Sequence, residues 1–347
     1  MPPGPVGGPG AWRGQALARS PEWIHRLTPA EIAELEAALA GTERRGLDLL
    51  QVTRADFPLP GLGPTLEGLR RELLHGRGFV LLRGLPVARY SPRQVATVYW
   101  GIGTWLGRAV SQNAQGHALG HVRDAGHDMA DPNTRVYQTR RRQGYHTDSV
   151  DIVGLLCLQK ARSGGLSSLV SSVTAHDEMQ RRHPELLPAL FEPFCVDRRG
   201  EVPAGMKPWF ELAVYHWYAG QLSAIYHRGY IEAAERFPEA PRLTARQRAA
   251  LDALDALLED PELVLHMDFE PGDIQLLHNH QVFHDRTGYE DWPEPERKRH
   301  LLRLWLCPPD GRPLPPAYAQ RYGSVEIGNR GGIVVPGTRL TAPLAPC

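Results

Sequence analysis

Apolar positions along this 347-residue chain change period several times, and each change predicts an element. Thr28-Pro29-Ala30-Glu31 has the S/T-x-x-E form of a capping box with proline at the first helical position. It opens AEIAELEAALA, whose spacing predicts a helix. PTLEGLRRELLHG predicts a second helix that stops at Gly76 or Gly78, after which GFVLLRGL reads as the first buried strand. SPRQVATVYWGIGTWLG predicts a third helix, with Ser91 as its cap and Pro92 at its first position.

From Ser111 to Gln143 the periodicity disappears into polar, Gly- and His-rich sequence, the signature of a functional loop or of disorder. Beyond it come apolar runs of strand length: DIVGLLCLQ, LSSLVSS, LAVYHWY, QLSAIY, ELVLHMDF, DIQLLH and HLLRLWL. Only TAHDEMQRRH, the RGYIEAAERF region and LTARQRAALDALDALLED read as helices among them. Strands that do not alternate one for one with helices argue against a doubly wound parallel sheet and for a β barrel or sandwich with helical additions. From Pro308 onward the chain is rich in proline and glycine and reads as a surface wrap.

The length prior suggests roughly two domains, but barrel-like β folds often use about 200–250 residues or more as one. We expect residues 1–22 to be a disordered Pro/Gly-rich tail and 23–347 to be one domain, with its core at 77–306 and a C-terminal extension at 308–347. Apolar residues make up 42% of the chain, enough for a sizeable core, and 39 basic residues cancel 39 acidic ones. That balance argues against nucleic acid or a membrane surface as partner. Cys157, Cys195, Cys307 and Cys347 lie far apart, with no CxxC pair. With no signal-like apolar run at the N-terminus, a reducing cytoplasm is the expected location.

The candidate chemistry begins at GYHTDS. On a strand, residues two apart share a face, so His146 and Asp148 can reach one point, with Tyr145, Thr147 and Ser149 on the other side. Alone the pair is a weak signal. A second cluster, GDIQLLHNHQVFHDRTGYED, delivers His278, His280 and His284 close together. One of these would complete two imidazoles and one carboxylate around a metal with open positions, the donor set of non-haem Fe(II) oxygenases. The next strand, ERKRHLLRLWL, carries Arg299 and Arg303 on one face, and two buried guanidiniums require anions.

HTD, the Gly-Gly pair at 164–165, NHQVFHDRTGYED and RKRHLLRLWL together resemble the Fe(II)/2-oxoglutarate dioxygenases of the taurine dioxygenase (TauD/TfdA) family, over about residues 77 to 306. The resemblance implies an α+β, mostly β fold: a double-stranded β-helix (jelly-roll, cupin-like) core with flanking helices. It selects His284 as third ligand beside His146 and Asp148, with Asn279, Arg286 and Asp291 around it in the family's pattern. His278 then reads as a strand end and His280 as a residue behind the ligands or in a loop, with His280 as ligand the alternative.

The resemblance further implies Fe(II), 2-oxoglutarate as cosubstrate and O2, with oxidation of an unactivated C–H bond and release of succinate and CO2. Hydroxylation is the default outcome; desaturation, cyclisation and oxidative cleavage share the same ligands. Arg299, fifteen positions after His284, fits the distal carboxylate of 2-oxoglutarate, with Ser167 or Ser168 adding a hydroxyl. Arg303 either shares that cosubstrate, anchors an anionic substrate, or pairs with a neighbouring carboxylate. The expected substrate is a small molecule, possibly carboxylate-bearing, with Gln112, Asn113, Gln138 and Tyr145 as contacts; the sequence leaves a homo-oligomer open. Asp148 argues against a halogenase, since related iron halogenases lack that carboxylate.

GIGTWLG at 101–107 follows a helix rather than a strand, so its glycines read as packing residues and not as a dinucleotide loop. His117 and His121 have zinc-like spacing, but flanking glycines and the absence of a HExxH glutamate place them in a polar loop. A zinc hydrolase on the same fold and a catalytically silent binding protein are the rival readings.

Overall fold

The computed structural model describes residues 1–127, 131 and 134–346. Two sheets face each other. The larger runs in the order Ile24–Arg26, Phe79–Arg83, Ile274–His278, Ile152–Gln159, His300–Cys307, Arg108–Ala109, with Leu119–Val122 also paired to His300–Cys307. The smaller runs Leu265–Met267, Ser167–Ser171, Val282–Arg286, Gln143–His146. The turn at 279–281 carries the chain from one sheet to the other, the connection that makes the pair a jelly roll.

Both faces of the larger sheet are buried, which is why its strands read as near-continuous apolar runs. Phe79, Leu81, Leu277, Leu301 and Trp305 point between the sheets, while Val80, Leu82, Leu276, Leu302 and Leu304 point out against helices. Those helices are Pro29–Arg44, Leu62–His75 and Pro92–Leu106. Val170 and Phe283, outward on the smaller sheet, pack with Met179 and Leu254 of Ser172–Arg182 and Ala245–Leu258. Each such fully buried side chain contributes about 1.5–3 kcal/mol. Capping boxes at Thr28, Ser91 and Thr244 start three of the helices. The glycines of GIGTWLG are packing residues: a Cβ on Gly101 would lie 2.4 Å from the Phe57 ring.

Three expectations fail. Residues 1–22 are laid against the core rather than disordered. Trp12 packs edge-on to Phe79 and donates its indole N–H to the Arg77 carbonyl at 2.7 Å, and the Val6 and Gly7 amides bond Asp177. One aromatic anchor and these backbone bonds outweigh a composition that looks unstructured. The 111–143 stretch, part of which lies outside the described residues, contains a strand: His121 sits in Leu119–Val122, bonded to His300 at 2.8 Å, not in a polar loop. The extension after 307 does not stay on the surface, because Leu314, Tyr318, Tyr322, Arg312 and Arg330 are buried.

Cys157, Cys195 and Cys307 are free and buried; Cys347 lies outside the described residues. Among the described residues no helix is long and apolar enough to cross a membrane.

Candidate metal centre and the cavities that meet at it

His146 and His284 are register partners on neighbouring strands of the smaller sheet, which sets their rings side by side with centroids 4.1 Å apart. Asp148 joins them: the ligand atoms of all three lie within 4.8 Å of one another. The route to Asp148 differs from the expected strand geometry. The strand ends at His146, since the Thr147 amide bonds the Tyr226 carbonyl at 2.8 Å, and Asp148 is placed by the Asn279 side chain, which accepts its N–H at 2.9 Å. Thr147 and Ser149 consequently face the same cavity as the ligands. Tyr145 alone points away, into the cluster with Val170 and Phe283 behind the sheet, so it is not a substrate contact.

The donor atoms are prepared for a cation. His146 Nδ1 lies 2.9 Å from the Gly144 carbonyl; donating there leaves Nε2 with its lone pair, which meets the Gln143 side-chain amide nitrogen at 2.9 Å, a partner a metal would displace. Burial holds His284 neutral, its pKa down at about 3, with His146 and Arg303 adding and Asp148 opposing. His284 Nδ1 has no hydrogen-bond partner. Burial pushes the Asp148 carboxyl up, but Arg303, His284, His146 and the Trp305 indole together outweigh it and keep the pKa at about 2. Trp305 Nε1–H donates to Asp148 Oδ2 at 2.9 Å and Arg303 Nη1 stands 3.7 Å from the same oxygen, leaving Oδ1 for a metal. Two neutral imidazoles and an ionised carboxylate fit Fe(II).

Two cavities meet at this triad, sharing Tyr137, Gln143, His146, Asp148 and Arg303. One is lined by His284, Ser167, Arg286 and Arg299. Arg299 is buried, burial lowers its pKa, and its Nη1 lacks a hydrogen-bond partner, an orphan donor suited to a carboxylate. Its own amide is fixed by Asp291 at 2.7 Å. Ser167 and Ser168 separate by strand alternation: Ser167 lines this cavity, whereas Ser168 bonds His266 at 3.0 Å and does not.

The other cavity is lined by Arg135, Thr147, Ser149, His227, Arg303 and Arg321 among others. His227 stacks on Tyr230 at 3.6 Å, and burial keeps it neutral. Neither His227 nor Arg321 stands in a recognisable motif; only the backbone bridge of His227 to His146 marks it. Gln112 is spent on Arg303, accepting from its Nε at 2.7 Å and donating to its carbonyl at 2.8 Å. Gly120, the register partner of Arg303, leaves room for this, since a Cβ there would lie 2.4 Å from Gln112 Oε1. Asn113 bonds His117, and with Gln112 and Gln138 it lines an adjoining cleft rather than this cavity.

His278 does end its strand, and His280 sits in the turn that follows, bonded to Asp151 at 3.0 Å. Asp151, His278 and His280 converge closely enough to suggest a second metal group. Arg330 already binds Asp151 through Nε at 3.0 Å and Nη2 at 2.5 Å, and Arg312 lies 3.3 Å from His278. Cations occupy the place of a metal.

Two imidazoles and one carboxylate on a jelly roll, with open cavities on either side, define a mononuclear non-haem iron oxygenase. The chain belongs to the family described as taurine catabolism dioxygenase TauD, TfdA, which residues 43–305 match. It is 31% identical over 326 residues to FR-33289 synthase of Streptomyces rubellomurinus, covering 92% of this chain and 95% of that protein. It is 30% identical over 320 residues to the taurine hydroxylase-like protein SAT17 of Stachybotrys chartarum, covering 86% and 81%. An asparagine oxygenase solved with Fe(II), 2S,3S-3-hydroxyasparagine and succinate shares the fold, with TM-score 0.59 and 17% identity over 82% of this chain and 93% of that one. This protein is an Fe(II)- and 2-oxoglutarate-dependent dioxygenase, using O2.

Proposed function

We propose that His146, Asp148 and His284 hold Fe(II), that Arg299 and Ser167 hold the distal carboxylate of 2-oxoglutarate, and that a small molecule in the opposite cavity is hydroxylated at an unactivated C–H bond. The observation that carries this reading is the pair of cavities sharing His146 and Asp148, one of them ending at the orphan Nη1 of Arg299. When bound, the metal and cosubstrate supply O2 activation coupled to decarboxylation of 2-oxoglutarate to succinate and CO2.

The chain's own residues do the positioning. Trp305 and Arg303 keep Asp148 ionised and oriented, Gln112 holds Arg303, and the apolar wall of Val196, Leu212 and Val214 excludes water from the substrate side. Arg303, facing both cavities, is placed to meet an anionic group of the substrate. The free buried thiols suit a cytoplasmic location.

The test is anaerobic addition of Fe(II) and 2-oxoglutarate, which should produce the weak visible charge-transfer band of a chelated cosubstrate. His146→Ala should abolish it and Arg299→Gln should demand more 2-oxoglutarate. A His146→Ala protein with an unchanged band sinks the ligand assignment. Succinate release against a metabolite library, with the product's mass, then separates hydroxylation from desaturation, cyclisation and cleavage.

A further inference from the structure

We propose that Arg321, carried by the segment beyond residue 307, is the anchor for an oxyanion group of the substrate, which it seats together with Arg303 on the side of the triad away from Arg299. This rests on the reading of the iron and 2-oxoglutarate sites given above.

The cavity in question is lined by three guanidiniums, those of Arg135, Arg303 and Arg321, against a single carboxylate, that of Asp148. Arg135 is paired with Glu201. Arg303 has Asp148 and Gln112. Arg321 donates from Nε to Ser149 Oγ at 2.7 Å and lies over the Phe210 ring at 5.3 Å, and no carboxylate among the described residues stands within ion-pair distance of it. With Asp148 committed to the metal, the cavity keeps an unanswered positive charge.

An anion entering the cavity would answer the charge of this half-buried guanidinium. Burial, with Arg135 adding, pushes the Arg321 pKa down to about 10, so the group still carries its proton at neutral pH. Arg321 is nonetheless held firmly. Upstream of it, Arg312 donates to the Leu222 carbonyl and to Gln281, each at 2.6 Å. Downstream, Arg330 grips Asp151 through two nitrogens and donates to the Arg312 carbonyl at 2.7 Å. Tyr318 and Tyr322 pack on His280 with ring centroids 5.7 Å away. A strap buried at both ends delivers to the substrate cavity one guanidinium with no ion-pair partner among the described residues. The neighbouring wall of Val196, Phe210, Leu212 and Val214 is apolar. The substrate class that fits is a small molecule with an apolar stretch ending in a carboxylate or a tetrahedral oxyanion.

The holoenzyme, anaerobic with Fe(II) and saturating 2-oxoglutarate so that Arg299 is occupied, is titrated with acetate and separately with sulfate at constant ionic strength. Binding is read from the shift of the visible band and of the thermal midpoint, with methylammonium as control cation. At least one anion should bind the wild type, acetate marking a planar and sulfate a tetrahedral preference, and Arg321→Gln should weaken it about tenfold or more. Arg321→Lys, which keeps the charge but not the fork, should fall between and decides the matter if Arg321→Gln does not fold. Half-saturation by 2-oxoglutarate should stay within about twofold, as expected for a group making no contact with it. Equal anion binding by wild type and variant, no anion binding by the wild type, or loss of the 2-oxoglutarate band in Arg321→Gln would each overturn the proposal. A wild type that never develops the band sinks the earlier reading instead, which separates the two failures.

Discussion

Asn279 accepts the backbone N–H of Asp148 at 2.9 Å, so the turn that joins the two sheets holds the carboxylate ligand after its own strand has ended. Removing that acceptor should let Asp148 swing. Asn279→Ala is expected to bind Fe(II) about ten- to a hundredfold more weakly, with the fold retained. Anaerobic titration of the metal-free protein with Fe(II) checks this, and unchanged affinity would refute the role.

Arg299 and Ser167 line one cavity while Ser168 faces away. Arg299→Gln should raise the 2-oxoglutarate concentration for half-maximal turnover about ten- to a hundredfold, the value of a charged hydrogen-bonded pair. Ser167→Ala should have a smaller effect in the same direction and Ser168→Ala none. The reverse order for the serines would show that the strand register is misread.

Acid should destabilise the metal-free protein through histidines held neutral. Burial, with His121 and Arg123 adding, lowers the His300 pKa from 6.5 to about 3. Between those values the unfolded chain binds a proton that the native state refuses. Stability is thus intact above about pH 6.5 and falls as pH drops toward 3, by up to about 1.4 kcal/mol per pH unit for each such proton. Thermal midpoints between pH 7.5 and 4.5 should decline, and His300→Gln should flatten the decline. A slope identical in the variant would remove His300 from the account.

Arg330 binds Asp151 with both groups almost fully buried. Arg330→Met leaves the carboxylate without its cation and should cost about 3–5 kcal/mol in unfolding free energy. Adding Asp151→Asn should recover part of that loss, because the unpaired charge is gone. A double variant as unstable as the single would mean that packing, not charge, sets the cost.

The readable parts of this chain were those whose chemistry is local. Thr28 and Ser91 announce helices because the cap and its partner lie three residues apart. His146, Asp148 and His284 could be suspected together because HxD and the His-rich strand are short patterns, although Asp148 reaches the site through a turn rather than a strand. What escaped depends on partners far along the chain. Trp12 orders the N-terminal residues through Arg77 and Phe79, and His121 finds His300 across a strand pair. Ser167 and Ser168 are chemically alike and differ only in which side of a strand each occupies. Arg321 is one of 39 basic residues, and only its place in the cavity beside Asp148, with no carboxylate among the described residues at ion-pair distance, draws notice to it.

The strap that carries Arg321 begins after residue 307, just beyond residue 305, where the match to the family ends. The three ligands and Arg299 all lie before that point. On the proposal above, Arg321 then lies outside the stretch that carries the iron ligands and Arg299, while Arg303 and the apolar wall of the same cavity lie within it. Exchanging the later stretch with a relative's should change how tightly the substrate's oxyanion is held while the oxidative machinery stays as it was.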